Sequence, residues 1–137
     1  MCRNLDSKRL YWPSSPGYTT KLPKNNQIYG SGDNHFWGVW HGGDGFEAFE
    51  ENIGRFLSEY GMQSFPEMGT IMKFAEEKDL DINSKVMKER QKASLGTGNL
   101  IKYIEDYFSP QTDFRSIVVL SQIMQAFAIK AVSYTHL

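Results

Sequence analysis

An α/β fold is what the sequence predicts, and two observations predict it. The first half holds short apolar runs bounded by Gly, Pro, Asn and Ser, the pattern of buried strands set between loops. The second half holds apolar residues three and four apart, the pattern of helices that bury one face. Short strands separated by helices make β/α units, and these need a parallel sheet covered on both faces.

The elements follow in order. From Lys8 to Tyr29 the chain is interrupted by Pro13, Pro16, Gly17 and Pro23, which leaves room for a short strand over residues 9–12 and then a long loop. A second apolar run, residues 35–40, ends in His41-Gly42-Gly43 and suits a buried strand followed by a tight turn. Phe46, Phe49 and Ile53 then recur at helical spacing up to Gly54, and residues 55–61 are too short for a helix but apolar enough for a third strand. Ser64 and Glu67 are spaced as a capping box, with Pro66 tolerated in the first turn. Met68, Ile71, Met72 and Ala75 form one stripe behind them, so a helix is expected over 66–76.

Between Ile82 and Leu95 charge dominates and Val86 and Met87 are the main apolar anchors, which reads as a solvated helix or loop. Leu100, Ile101, Ile104 and Phe108 mark a helix stopped by Pro110, and Thr112 or Asp113 is placed to cap a longer one. Along that last helix Phe114, Ile117, Val118, Met124, Phe127, Ala128 and Ala131 share a face. Residues 132–137 fit neither that period nor what precedes them and read as a tail of foreign origin, such as an assembly or cloning junction.

Composition narrows the function. Lys and Arg number 15 against 16 Asp and Glu, so the basic footprint of a nucleic-acid binder is absent. No continuous apolar run near membrane-span length and no signal-peptide core stand out, and the chain reads as soluble with its compartment open. The single cysteine, Cys2, permits no internal disulfide and sets no metal-ligand spacing, so it argues neither a redox compartment nor a zinc site, and no metal or cofactor is called for by the sequence. Aromatic residues are the departure from a bland domain: of 19 in the chain, 12 fall between Tyr11 and Phe65, among Gly, Pro, Asn and Ser. Flat apolar rings beside polar loops suit a sugar site, because a pyranose offers C–H faces for stacking and hydroxyls for hydrogen bonds. An ordinary aromatic core under long loops has the same composition.

The specific signal is the run Arg55-Phe56-Leu57-Ser58-Glu59-Tyr60-Gly61-Met62-Gln63-Ser64-Phe65-Pro66. It resembles the nucleophile segment of the family 2 β-mannosidases, which has the pattern R-F-x-S-E-[FY]-G-[FY]-Q-S-[FW]-P. Two upstream segments resemble the same family in order and spacing, Arg9-Leu10-Tyr11-Trp12-Pro13-Ser14-Ser15-Pro16 and Gly32-Asp33-Asn34-His35-Phe36-Trp37-Gly38-Val39-Trp40. Downstream, Asp113-Phe114 and Leu120-Ser121-Gln122-Ile123-Met124-Gln125-Ala126 resemble the helix after the nucleophile strand, so the likeness spans residues 5–131.

The resemblance implies part of a (β/α)8 TIM barrel, about strands 5 to 7 with their helices and not closed, over residues 1–131. Glu59 would stand at the carboxyl end of the seventh strand, where barrel enzymes keep their sites. It would be the catalytic nucleophile of a retaining hydrolysis of terminal β-D-mannosides, attacking the anomeric carbon while a second carboxylic acid protonates the leaving oxygen. Arg55 or Tyr60 is placed to keep it charged. The family's general acid follows an Asn in a W-x-G-N-N-E type motif that these residues lack, as they lack the final Trp-rich strand. Glu47, Glu50, Glu51 and Glu67 fall on expected exposed helix faces and offer no substitute. His35, Trp37, Trp40, Gln63 and Tyr60 are the candidate substrate contacts, each with ordinary packing as the competing role.

The partners implied are a β-mannoside oligosaccharide or glycoconjugate and the missing remainder of the barrel, with the parent protein periplasmic, lysosomal or secreted. The competing readings are a related family 2 β-galactosidase or β-glucuronidase, a non-catalytic sugar-binding or scaffold fragment, and a helical interaction module. Gln63 and the Trp-rich run at residues 35–40 favour the mannosidase among the enzymes.

Overall fold

The computed structural model describes residues 2–9, 11, 14–15, 32–52 and 56–135. The chain opens with a single helical turn, α1 (Cys2–Leu5). Arg9 and Tyr11 lie outside any strand, while Leu10 and Trp12, which complete the expected first strand, lie outside the described residues.

Two strands pair in parallel, β1 (Asn34–His35) and β2 (Leu57–Glu59), and between them the chain crosses over through α2 (Ala48–Glu51). The second expected strand is therefore shorter than residues 35–40. The reason is the turn at residues 38–42, where Gly42 N–H donates to the Trp37 carbonyl at 2.9 Å and Asp44 N–H to the Gly38 carbonyl at 3.0 Å. Gly43, at φ 78°, completes the reversal in a region that a side chain disfavours. Trp40 enters that region too, at φ 78° and ψ −73°, the rare and strained form of a three-residue turn.

Helix α5 (Gly96–Tyr107) compensates this strain. Trp40 N–H donates to Tyr103 Oη at 2.8 Å, Asn99 Nδ2 donates to the Trp40 carbonyl at 2.8 Å, and Tyr103 Oη donates to the Asp44 carbonyl at 2.7 Å. The Trp40 and Phe46 rings stack on Tyr103. Burial raises the Tyr103 pKa above the usual phenol value, because the phenolate would lose its water.

The helix expected over 66–76 is a single turn, α3 (Met68–Ile71), followed by looser turns. The expected capping box does not form: Ser64 Oγ donates to Gln125 Oε1 at 2.9 Å, and Glu67 occupies the cap position without a side-chain bond to the helix backbone. A tertiary partner has taken the hydroxyl that the local motif needed. A capping box does form at Glu76 and Asp79, around a short 3-10 turn over Glu77–Asp79. The charged stretch contains α4 (Lys85–Arg90), capped by Ser84 and anchored by buried Met87.

Helix α6 (Phe114–Thr135) is the longest element. Asp113 caps it, accepting from the N–H and the hydroxyl of Ser116, both at 2.8 Å; the N–H bond first and the hydroxyl second hold its pKa below the ordinary carboxylate value. Phe114, Ile117, Val118, Ser121, Met124, Ala128 and Val132 are buried along it. Phe127, placed on that face by its spacing, is instead half exposed. The apolar period also runs one step past Ala131, since Val132 joins the core and the helix continues unbroken to Thr135. By length and composition alone Phe114–Tyr134 would suffice to cross a bilayer, but Arg115, Ser121, Gln122, Gln125 and Lys130 interrupt it, so it is not a continuous apolar run. Its buried residues fall on one side and pack onto α5 and α2, as in a core helix.

The main core joins Phe36, Val39, Trp40 and Phe49 to Leu100, Tyr103 and Ile104 of α5 and Met124, Ala128 and Val132 of α6. A second cluster gathers Ile71, Ala75, Met87, Phe114 and Val118, and Phe65 packs against both. The architecture is a helix-rich α/β arrangement whose described sheet is an open parallel pair.

Candidate active site at the ends of two parallel strands

Parallel pairing brings the carboxyl ends of both strands to one place. The ladder registers Asn34 with Leu57 and His35 with Glu59, with an irregularity between Asn34 and His35. Asn34 N–H donates to the Phe56 carbonyl at 2.8 Å and Phe36 N–H to the Glu59 carbonyl at 2.9 Å, fixing the backbone on either side of His35. Leu57 points into the core, and Glu59, two residues on, ends its strand half exposed. Gly61, at φ 121°, then turns the chain away in a conformation few residues other than glycine adopt.

The side chains meet in a chain of polar contacts. Glu59 Oε2 lies 3.2 Å from His35 Nδ1, and the other ring nitrogen, Nε2, lies 3.4 Å from Asp33 Oδ2 and 3.1 Å from Ser15 Oγ. The hydroxyls of Ser15 and Ser58 both donate to Asp33 Oδ2. Burial grades across this array: the Asp33 and His35 side chains are 10% and 14% exposed, whereas that of Glu59 is 52% exposed. The arrangement presents one carboxylate to an incoming molecule and keeps its support behind it.

Of the residues singled out in the sequence, His35 and Glu59 are brought together. Trp37 is partly exposed, its ring edge-on to His41 at 5.1 Å. Trp40 is a core residue, 3% exposed, which the turn at residues 38–42 rotates inward. Tyr60 is half buried and packs edge-on to Phe49 at 6.2 Å. Gln63 lines a cavity of about 550 Å³ with Ser64, Phe65, Phe74, Arg90 and Gln125; neither His35 nor Glu59 borders it. Gln63 Oε1 is buried there with no hydrogen-bond partner. The group beside Glu59 is His35; Arg55 lies outside the described residues. Glu47, Glu50, Glu51 and Glu67 are exposed.

Sequence reading missed Asp33, Ser58 and Ser15. A period of two along a strand puts Asp33 on the side of His35, a usable signal. Ser15 comes from 20 residues away, and no local pattern announces that pairing. Among the described residues, no group of three or more His, Cys, Asp or Glu side chains is arranged to hold a metal ion.

No family model matches the chain. Individual proteins do. A protein named β-mannosidase B from Aspergillus flavus is 36% identical over 124 residues, 89% of this chain and 14% of that protein. The protein of the same name from Aspergillus niger is 35% identical over 121 residues, 87% of this chain and again 14% of its relative. The crystal structure of a β-D-mannosidase from Dictyoglomus thermophilum superimposes with a TM-score of 0.81 at 39% identity, covering 96% of this chain and 16% of that one. The chain spans about 14% of the length of the curated relatives it matches. In sequence and in backbone, then, it belongs to the β-mannosidase family, as a segment corresponding to a small part of its members.

Proposed function

We propose that this segment supplies the nucleophile of a retaining β-mannosidase of glycoside hydrolase family 2, with Glu59 as the attacking carboxylate. One observation carries the reading: Glu59 ends a parallel strand, half exposed, with His35 of the neighbouring strand end 3.2 Å from its oxygen. A carboxylate so held has an oxygen free to form an ester bond to the anomeric carbon as the glycosidic C–O bond breaks. The leaving oxygen takes its proton from a second carboxylic acid, which then deprotonates the water that cleaves the ester. That acid lies outside this chain. In this reading β1 and β2 are the sixth and seventh strands of a (β/α)8 barrel. Residues 132–137 are an appended segment, of which α6 takes up about one turn.

The substrate class is a terminal β-D-mannoside of an oligosaccharide or glycoconjugate. Trp37 and Tyr60 are the remaining candidates to contact it, while Trp40 acts from the core by fixing the turn after β1 and Gln63 lines a separate cavity. In a full-length polypeptide containing residues 1–137, Glu59→Gln should lower hydrolysis of an aryl β-mannoside by several orders of magnitude, since the bond-forming oxygen is lost. A 2-deoxy-2-fluoro mannosyl fluoride should leave a covalent sugar on the peptide containing Glu59, read by mass spectrometry. Turnover within tenfold of the parent, or a label on another peptide, would refute the assignment.

A second reading concerns the 137 residues alone, which we expect to bind or scaffold without turnover. It is favoured by the lack of the general-acid motif in these residues, and Glu47, Glu50, Glu51 and Glu67 are exposed, a setting that does not hold a carboxyl protonated.

A further inference from the structure

We infer that Asp33 is a positioning residue that acts on Glu59 through His35, with Ser15 and Ser58 fixing Asp33 in turn. The inference rests on the assignment of Glu59 as nucleophile and deepens it.

A count of hydrogens carries the argument. Ser15 has one hydroxyl hydrogen, and it is given to Asp33 Oδ2. The contact of Ser15 Oγ with His35 Nε2 at 3.1 Å is then attractive only if the ring nitrogen is the donor. Nε2–H therefore points at Ser15 Oγ, with Asp33 Oδ2 at 3.4 Å. On the other side, Nδ1 faces Glu59 Oε2 at 3.2 Å. The ring thus sits between two carboxylates, with Asp33 behind it and Glu59 in front. Asp33, 10% exposed, braces the Nε2 side of the ring and so holds the Nδ1 side against the Glu59 oxygen.

Geometry adds a second effect. An imidazole bonded at one nitrogen only can swing about its side-chain bonds, whereas bonds at both nitrogens fix the ring plane. Asp33 is itself fixed, because Ser58 of the nucleophile strand and Ser15 of a remote segment both donate to the same oxygen. Glu59 is consequently aimed by a support that reaches across β1, β2 and residues 14–15. A misplacement of about 1 Å at a reacting atom costs on the order of 100-fold in rate, so such a support has a measurable effect.

The test is made on the full-length polypeptide containing this segment, with an aryl β-mannoside whose leaving group is acidic enough to depart without a proton donor. Asp33→Asn keeps the shape and an oxygen for both serines but removes the charge. It should lower kcat by about tenfold or more with KM within about twofold, because the altered contact is made to the attacking group rather than to the sugar. His35→Gln should lower kcat at least as far, and Asp33→Asn should add nothing on that background, since Asp33 acts through His35.

Independently of either variant, solid-state NMR of the parental protein labelled with 15N at histidine should show Nε2 of His35 carrying hydrogen. A parental rate for Asp33→Asn, an effect on KM alone, a multiplicative loss in the double variant, or a bare Nε2 would each overturn the inference. Any of these could occur with Glu59→Gln inactive, and that combination would leave the nucleophile assignment standing. Glu59→Gln with normal turnover would remove both.

Discussion

At the scale of single residues, Tyr103 shows how a strained backbone is held. Its hydroxyl accepts from Trp40 N–H and donates to the Asp44 carbonyl, tying both ends of the turn that follows β1. Tyr103→Phe leaves both backbone groups without that partner. A buried donor left unsatisfied costs about 1–3 kcal/mol, so the variant should melt earlier in a thermal scan followed by circular dichroism. An unchanged midpoint would mean that the turn holds its shape without α5. Alkali should act in the same direction. Burial raises the folded pKa of Tyr103, so its contribution is complete below the phenol value of the unfolded chain, about 10, and is lost as pH rises through the higher folded value.

At the scale of elements, α6 is the anchor for the segment that leaves the candidate nucleophile. Ser121, fully buried, accepts from Phe65 N–H at 3.0 Å. Gln122 donates to the Phe65 carbonyl at 3.2 Å, and Gln125 donates to the Met62 carbonyl at 2.7 Å. Three polar side chains on one helix therefore satisfy a stretch of backbone that belongs to no strand or helix, as buried backbone groups require. Their spacing of one, three and four places them within a turn of one another on α6. Ser121→Ala removes the acceptor for Phe65 N–H, and we expect a loss of about 1–3 kcal/mol together with faster amide exchange at Met62 to Phe65. Exchange that accelerates uniformly along the chain, with no local excess at Met62 to Phe65, would contradict an anchoring role.

At the scale of the whole molecule, the described sheet is a two-stranded parallel pair, an arrangement that rarely stands alone in water. Large apolar side chains are exposed as well: Phe56 at 65%, Val119 at 52% and Phe127 at 50%. In the proposed reading, these are surfaces for the remainder of a longer polypeptide to cover. Expressed as 137 residues, the chain should self-associate, running on size-exclusion chromatography well above its 15.7 kDa. A cooperatively melting monomer would argue that these residues form a self-sufficient domain.

Much of the molecule was written in local pattern. The α/β class, a short strand within residues 55–61, α5 with its stop before Pro110 and a cap of α6 at Thr112 or Asp113, of which the fold uses Asp113, follow from periodicity and end signals acting within a few residues. The run around Glu59 pointed to the same family as the sequence and structural relatives. Tertiary structure decided what depends on distant partners. Gln125 drew Ser64 out of a capping box, and Tyr103 and Asn99 held Trp40 in a strained turn that sends its ring to the core. Parallel pairing set His35 beside Glu59, and Ser15 reached Asp33 from a separate segment. The physical reason is one of range: helix and strand preferences are summed over neighbours along the chain, whereas a hydrogen bond between residues 20 or 60 apart exists only once the core has brought them together.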